Sequence, residues 1–103
     1  MPEIRVPSDL VKPGAAHRVD AGPTGVCLVR IDDDFYAIGD RCSHADVSLS
    51  EGAVDTQDCW IECWKHGSAF SLRDGHPQSL PATRPVPVYA VVVDGADVVV
   101  TVP

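Results

Sequence analysis

Two short stretches hold residues whose types and spacing suit metal chemistry: "RCSHADVS" at 41–48 and "ECWKHGSAF" at 62–70. The first supplies Cys42 and His44, the second Cys63 and His66, with eighteen residues (45–62) between the pairs. Thiolate with imidazole selects zinc, copper or iron–sulfur centres, not calcium or magnesium. A structural zinc takes four such ligands in a tetrahedron. Zinc modules usually pair cysteine with cysteine and histidine with histidine, whereas each stretch here contributes one of each. A binuclear iron–sulfur cluster is the other solution: one iron takes a cysteine from each stretch, the other takes both histidines, and each loop then spans both irons.

The surrounding chain reads as short strands that must hold these two loops. "VCLVRI" (26–31) and "FYAIG" (35–39) flank the polar "DDD" and form a hairpin. "YAVVVDGADVVVTV" (89–102) is a second hairpin, its β-branched runs split at Asp94-Gly95. Further strands are expected at "CWIEC" (59–63), at "SAFSL" (68–72), and near Ile4–Val6 and Ala16–Val19. Nine prolines and eight glycines leave at most a turn of helix, near "PSDLVKPG". Many short strands with turn signals predict an all-β sandwich or barrel. Each ligand stretch falls at a strand end, as a loop on a rigid scaffold. "CSHADVSLSEG" reads as a polar loop, and "HPQSLPATRPVP" (76–87) as a third loop stiffened by four prolines.

Length and charge narrow the function. A chain of 103 residues is one domain, 1–103, with a modest core. Eight basic against fifteen acidic residues, a net charge of −7, argues against nucleic-acid binding, which needs a basic face. An acidic surface suits docking onto a basic partner, or simple solubility. No apolar run approaches the roughly 18–20 residues that cross a bilayer, and "MPEIRVPSDL" lacks the pattern of a secretory signal. A cytoplasmic protein without membrane contact is expected, its cysteines being ligands or thiols instead of disulfides.

With "CSH" at 42–44 and "CWKHG" at 63–67, the sequence resembles the Rieske-type [2Fe–2S] ferredoxins over nearly its whole length. That resemblance implies an antiparallel β sandwich or barrel with an inserted cluster-binding subdomain, about 40–82, whose two loops clamp one [2Fe–2S] cluster. It implies that Cys42 and Cys63 hold the inner iron and His44 and His66 the outer one. A third loop around Pro81 would cover the remaining side. The eighteen-residue gap is slightly long for the family, and the extra residues are placed in "EGAVDTQD" (51–58), as an enlarged hairpin. Val47 and Lys65 stand where respiratory Rieske proteins carry a loop-joining disulfide. Ser68 is present, but Phe70 stands where those proteins have a tyrosine hydroxyl donating to the cluster. Fewer donors stabilise the extra electron less, which predicts a reduction potential of about −150 mV, the low end of the Rieske range.

The resemblance also implies a soluble monomeric electron carrier, similar to the ferredoxin subunit of multicomponent aromatic-ring dioxygenases. A flavin-dependent reductase would be the donor, and a terminal oxygenase or another redox protein the acceptor. Such a carrier has no catalytic residue and hydroxylates nothing alone. The alternatives are a role in iron–sulfur cluster assembly, a small subunit of nitrite reductase, or a zinc-stabilised interaction module. Other conspicuous residues have structural readings: Cys27 and Cys59 as buried packing residues, Trp60 as packing, His17 on an edge strand, His76 in a turn, and "DDD" as a solvated turn. Trp64, between two ligands, is read equally as a shield or as part of a docking face.

Overall fold

The computed structural model describes residues 3–21, 25–42, 47–65, 67–78 and 84–102. Among them are nine strands: β1 (Glu3–Pro7), β2 (Ala15–Val19), β3 (Val26–Ile31), β4 (Asp34–Gly39), β5 (Ala53–Asp55), β6 (Trp60–Glu62), β7 (Ala69–Ser71), β8 (Val88–Asp94) and β9 (Asp97–Thr101). Six form one antiparallel sheet in the order β1-β9-β8-β4-β3-β2, and β5-β6-β7 form a second, smaller one. The expected all-β, antiparallel architecture is what the chain adopts. Single 3-10 turns lie at Ser8–Leu10, as expected, and at Leu49–Glu51, where only a loop was read.

Turn chemistry explains the hairpins. In β3–β4, Ile31 pairs with Asp34, so Asp32 and Asp33 make the turn, with Asp32 at φ 54. Short polar side chains tolerate that left-handed region. Arg30 steadies the turn, its Nε donating to the Asp32 carbonyl at 2.8 Å and its guanidinium lying 5.3 Å from the Phe35 ring centre. In β8–β9, Asp94 pairs with Asp97. The two turn residues are therefore Gly95 and Ala96, one position beyond the expected split, with Gly95 at φ 61. The strand expected at 59–63 is shorter than predicted, only Trp60–Glu62. Cys59 lies outside it at φ 59, a conformation that ends the strand and turns the β5–β6 hairpin. That hairpin occupies the 51–58 segment anticipated as an enlargement.

The large sheet has a core on each face. Val26, Leu28, Ala37, Tyr89, Val98 and Val100 pack together, with Ile4 and Val6 of β1 and Val19 of β2 closing over them. Elements from both edges of the sheet share this core, so the sheet curls around it. On the opposite face Cys27, Val29 and Ile38 pack against Leu49, Ile61, Phe70 and Leu72 from the smaller sheet and its flanks. Strand β3 is buried over its first four residues because alternate side chains enter different cores. Among the described residues, no helix is long and apolar enough to cross a membrane.

Candidate metal centre

Cys42 follows directly on β4, through Asp40 and Arg41. Cys63 follows directly on β6. Both are buried, at 3% and 1% exposure, and both belong to the core between the two sheets. All four cysteines are buried thiols. The core that holds these two cysteines also holds Cys27 and Cys59. His44, His66 and the expected covering loop around Pro81 lie outside the described residues.

The two loops close in the same way. The Cys42 N–H donates to the Val47 carbonyl at 3.0 Å, and the Cys63 N–H donates to the Ser68 carbonyl at 2.7 Å. Each bond joins a cysteine to the carbonyl five residues on, so each loop is pinched at its base with its cysteine facing the core. An Arg41–Ser48 bridge reinforces the first pinch. The second is tightened by Gly67, whose N–H reaches the Cys63 carbonyl at 2.9 Å with φ at 75, a backbone conformation that suits glycine.

A buried carboxylate anchors the first loop, and the sequence reading did not single it out. Asp40 is 1% exposed. It accepts hydrogen bonds from the Ser48 hydroxyl and, at 3.0 Å, from the Ser50 N–H, while Arg18 Nε lies 3.6 Å away. Its own backbone joins the Gly25 and Leu49 backbones. On the second loop's side, Gly52 sits where an added Cβ would come within 1.7 Å of the Glu62 carbonyl oxygen, one residue before Cys63. The third loop's exit is tied likewise: the Val86 N–H donates to the Gly75 carbonyl at 2.9 Å, and a Cβ on Gly75 would meet the Val86 carbonyl at 2.1 Å. Only a Gly, easily read as ordinary turn punctuation, would have signalled these approaches.

Of the remaining candidates, Cys27, Cys59, His17 and His76 fall where their structural readings place them, whereas Trp60, read as packing, belongs to neither core. Burial pushes the Cys27 thiol well above its usual pKa, aided by the nearby Asp40 charge, so it is an inert packing group. Cys59 is buried and hydrogen-bonded with the Tyr36 hydroxyl, a contact that with burial raises the tyrosine's pKa. It stands four residues and about 13 Å of extended chain from Cys63, at the far end of β6. His17 is exposed on β2, an edge strand, and His76 is exposed in its turn. Trp60 is half-buried and Trp64 is 54% exposed. Phe70 is wholly buried on β7.

Two buried thiols at the necks of two like-closed loops, each followed in sequence by an imidazole, are the donor types a Cys₂/His₂ cluster takes. The comparisons agree. Residues 3–90 match the family described as Rieske [2Fe-2S] domain. The 3-phenylpropionate/cinnamic acid dioxygenase ferredoxin subunit of Escherichia coli (strain K12) is 41% identical over 93 residues, covering 90% of this chain and 86% of that one. The ferredoxin of carbazole 1,9a-dioxygenase from Nocardioides aromaticivorans IC177 superposes with a TM-score of 0.94 at 37% identity, covering 98% of both chains. A chain from a complex of reduced oxygenase and oxidized ferredoxin in carbazole 1,9a-dioxygenase gives 0.88 at 38% identity, covering 95% of this chain and 91% of that one.

Proposed function

The chain belongs to the Rieske [2Fe-2S] domain family, and from that premise we propose that it is a one-electron carrier delivering electrons from a flavin-dependent reductase to a terminal oxygenase. The observation that carries this reading is the pair of buried cysteines, Cys42 and Cys63, at the bases of two loops closed by equivalent hydrogen bonds. In this reading Cys42 and Cys63 hold one iron, and His44 and His66 the other. A bound [2Fe–2S] cluster supplies a one-electron couple, made easier to reduce by neutral imidazoles than by four thiolates.

The chain's own residues orient the loops and keep water from the thiolate side. Asp40 fixes the first loop, Gly52 and Gly67 shape the second, and Phe70, Leu72 and Val86 line the core beneath. The acceptor assignment is supported by the relatives described as dioxygenase ferredoxin subunits and by the ferredoxin–oxygenase complex of carbazole 1,9a-dioxygenase. The single-domain organisation, with a cluster-binding subdomain at about 40–82, belongs to the same proposal. So do the monomeric state and a cytoplasmic location, where thiols persist.

Absorption and EPR spectra of the purified protein, before and after dithionite, test the assignment. The expected result is a red-brown protein whose reduced form gives a Rieske signal with low average g. Film voltammetry should then place the midpoint at about −150 mV, because Phe70 offers no hydroxyl to the cluster. A colourless protein containing zinc would eliminate the carrier reading, and a midpoint above zero would eliminate the low-potential assignment.

A further inference from the structure

Alternation along the smaller sheet sends Val54, Ile61 and Phe70 into the core. The opposite face therefore carries Ala53, Asp55, Trp60, Glu62 and Ala69. Register sets Glu62 between Ala53 and Ala69, and Trp60 between Asp55 and Ser71. Small side chains beside large ones leave a groove of about 560 Å³, with Asp55, Trp60, Glu62 and Gly67 among its lining. Its contents are one half-buried indole and two exposed carboxylates, and no lysine or arginine is among its described lining residues.

That lining is the complement of a cation. An ammonium or guanidinium is drawn to an indole face, and more so when the site excludes water. Two carboxylates beside the ring supply the opposite charge, on a chain whose net charge is −7. Position matters as much as chemistry. Glu62 immediately precedes Cys63, and its Oε1 lies 3.9 Å from where a Cβ on Gly67 would stand. The groove therefore runs into the base of the second ligand loop.

We propose that this groove is the docking pocket for a cationic side chain on a basic face of the electron-transfer partner, seating that partner against the loop that carries His66. The inference rests on the electron-carrier reading. Groove and cluster loop form one surface, so the contact that recognises the partner also sets the approach of the electron acceptor.

The test uses the cluster-loaded protein and cytochrome c, a basic haem protein, as the acceptor. The second-order rate of oxidation of the dithionite-reduced protein is followed by stopped flow at low ionic strength. Asp55→Asn with Glu62→Gln should slow it about tenfold and flatten its dependence on salt. Trp60→Leu, which keeps an apolar side chain but removes the ring, should slow it about threefold. Asp32→Asn with Asp33→Asn removes equal charge at the far end of β4, about 20 Å of strand from Cys42, and should change the rate less than about twofold.

Groove variants as fast as the parent, or a far-end pair as slow as the groove pair, would overturn the proposal. So would a rate loss that simply follows a shifted midpoint potential, which is measured for every variant. A parent protein that sediments as a dimer and a Trp60→Leu variant that is monomeric would assign the groove to a second copy instead. If the parent shows no Rieske EPR signal, the carrier reading itself fails and takes the docking pocket with it.

Discussion

A carboxylate two residues before Cys42 is buried at Asp40 because several parts of the chain converge to hold it. Ser48 and Ser50 donate to it from the loop's exit, and Arg18 faces it from β2. Asp40→Ala leaves the Ser50 N–H without its acceptor and the half-buried Ser48 hydroxyl with only the Ser50 hydroxyl beside it, and should cost about 2–4 kcal/mol. Asp40→Asn keeps the shape and one acceptor oxygen, and should cost about half as much. Arg18 is half-exposed at its guanidinium and also pairs with the exposed Asp20, so Arg18→Ala should cost under about 1 kcal/mol. Denaturant unfolding followed by circular dichroism ranks the three variants, and equal costs for Asp40→Ala and Arg18→Ala would refute the anchoring role. Cys42 and Cys63 stood out in the sequence as candidate ligands because metal chemistry is written in residue type and spacing. Asp40 did not, since "GDRC" after a strand reads as solvated loop. Its burial comes from contacts with residues 18, 25, 48 and 50, which no local pattern encodes.

At the scale of elements, two glycines show that one substitution can act by different routes. Gly52 has an ordinary φ of −84, but a Cβ there would stand 1.7 Å from the Glu62 carbonyl oxygen. Gly95 has open space around it and only a φ of 61 to satisfy. Gly52→Ala must push β5 away from β6 beside Cys63, at a cost of about 3 kcal/mol, and should lower the melting temperature by roughly 15 °C. Gly95→Ala should cost about 1 kcal/mol and leave the iron content unchanged. Thermal melts with iron-to-protein ratios check both, and the close-approach argument falls if Gly52→Ala retains full iron and melting temperature. The hairpins at 26–39 and 89–102 were legible because β-branched runs and turn residues act locally. The 3-10 turn at Leu49–Glu51 and the three-residue strand β5 were not. "SLSEGAVD" has too few β-formers to announce a strand, which forms because β6 offers it a partner.

For the whole molecule, the decisive fact is that strands β3 and β4 divide two cores with different duties. Leu28 faces the core inside the curled sheet, while Leu72 faces the core that holds Cys42 and Cys63. Both leucines are fully buried, so truncating either to alanine should lower global stability by about 3–5 kcal/mol. Their effects on the metal centre should differ. Leu72→Ala loosens the packing beneath Cys42, Cys63 and the smaller sheet, allowing that unit to open without unfolding the curled sheet. Leu28→Ala loosens the sheet itself, and the ligand loops should open only as far as global unfolding permits. Bleaching of the cluster's visible absorbance by an iron chelator, under native conditions at 25 °C, separates the two. The Leu72→Ala protein should bleach markedly faster than a Leu28→Ala protein of similar unfolding midpoint. Equal bleaching rates at equal stability would mean that the two cores open as one, and that the smaller sheet has no independent hold on the cluster.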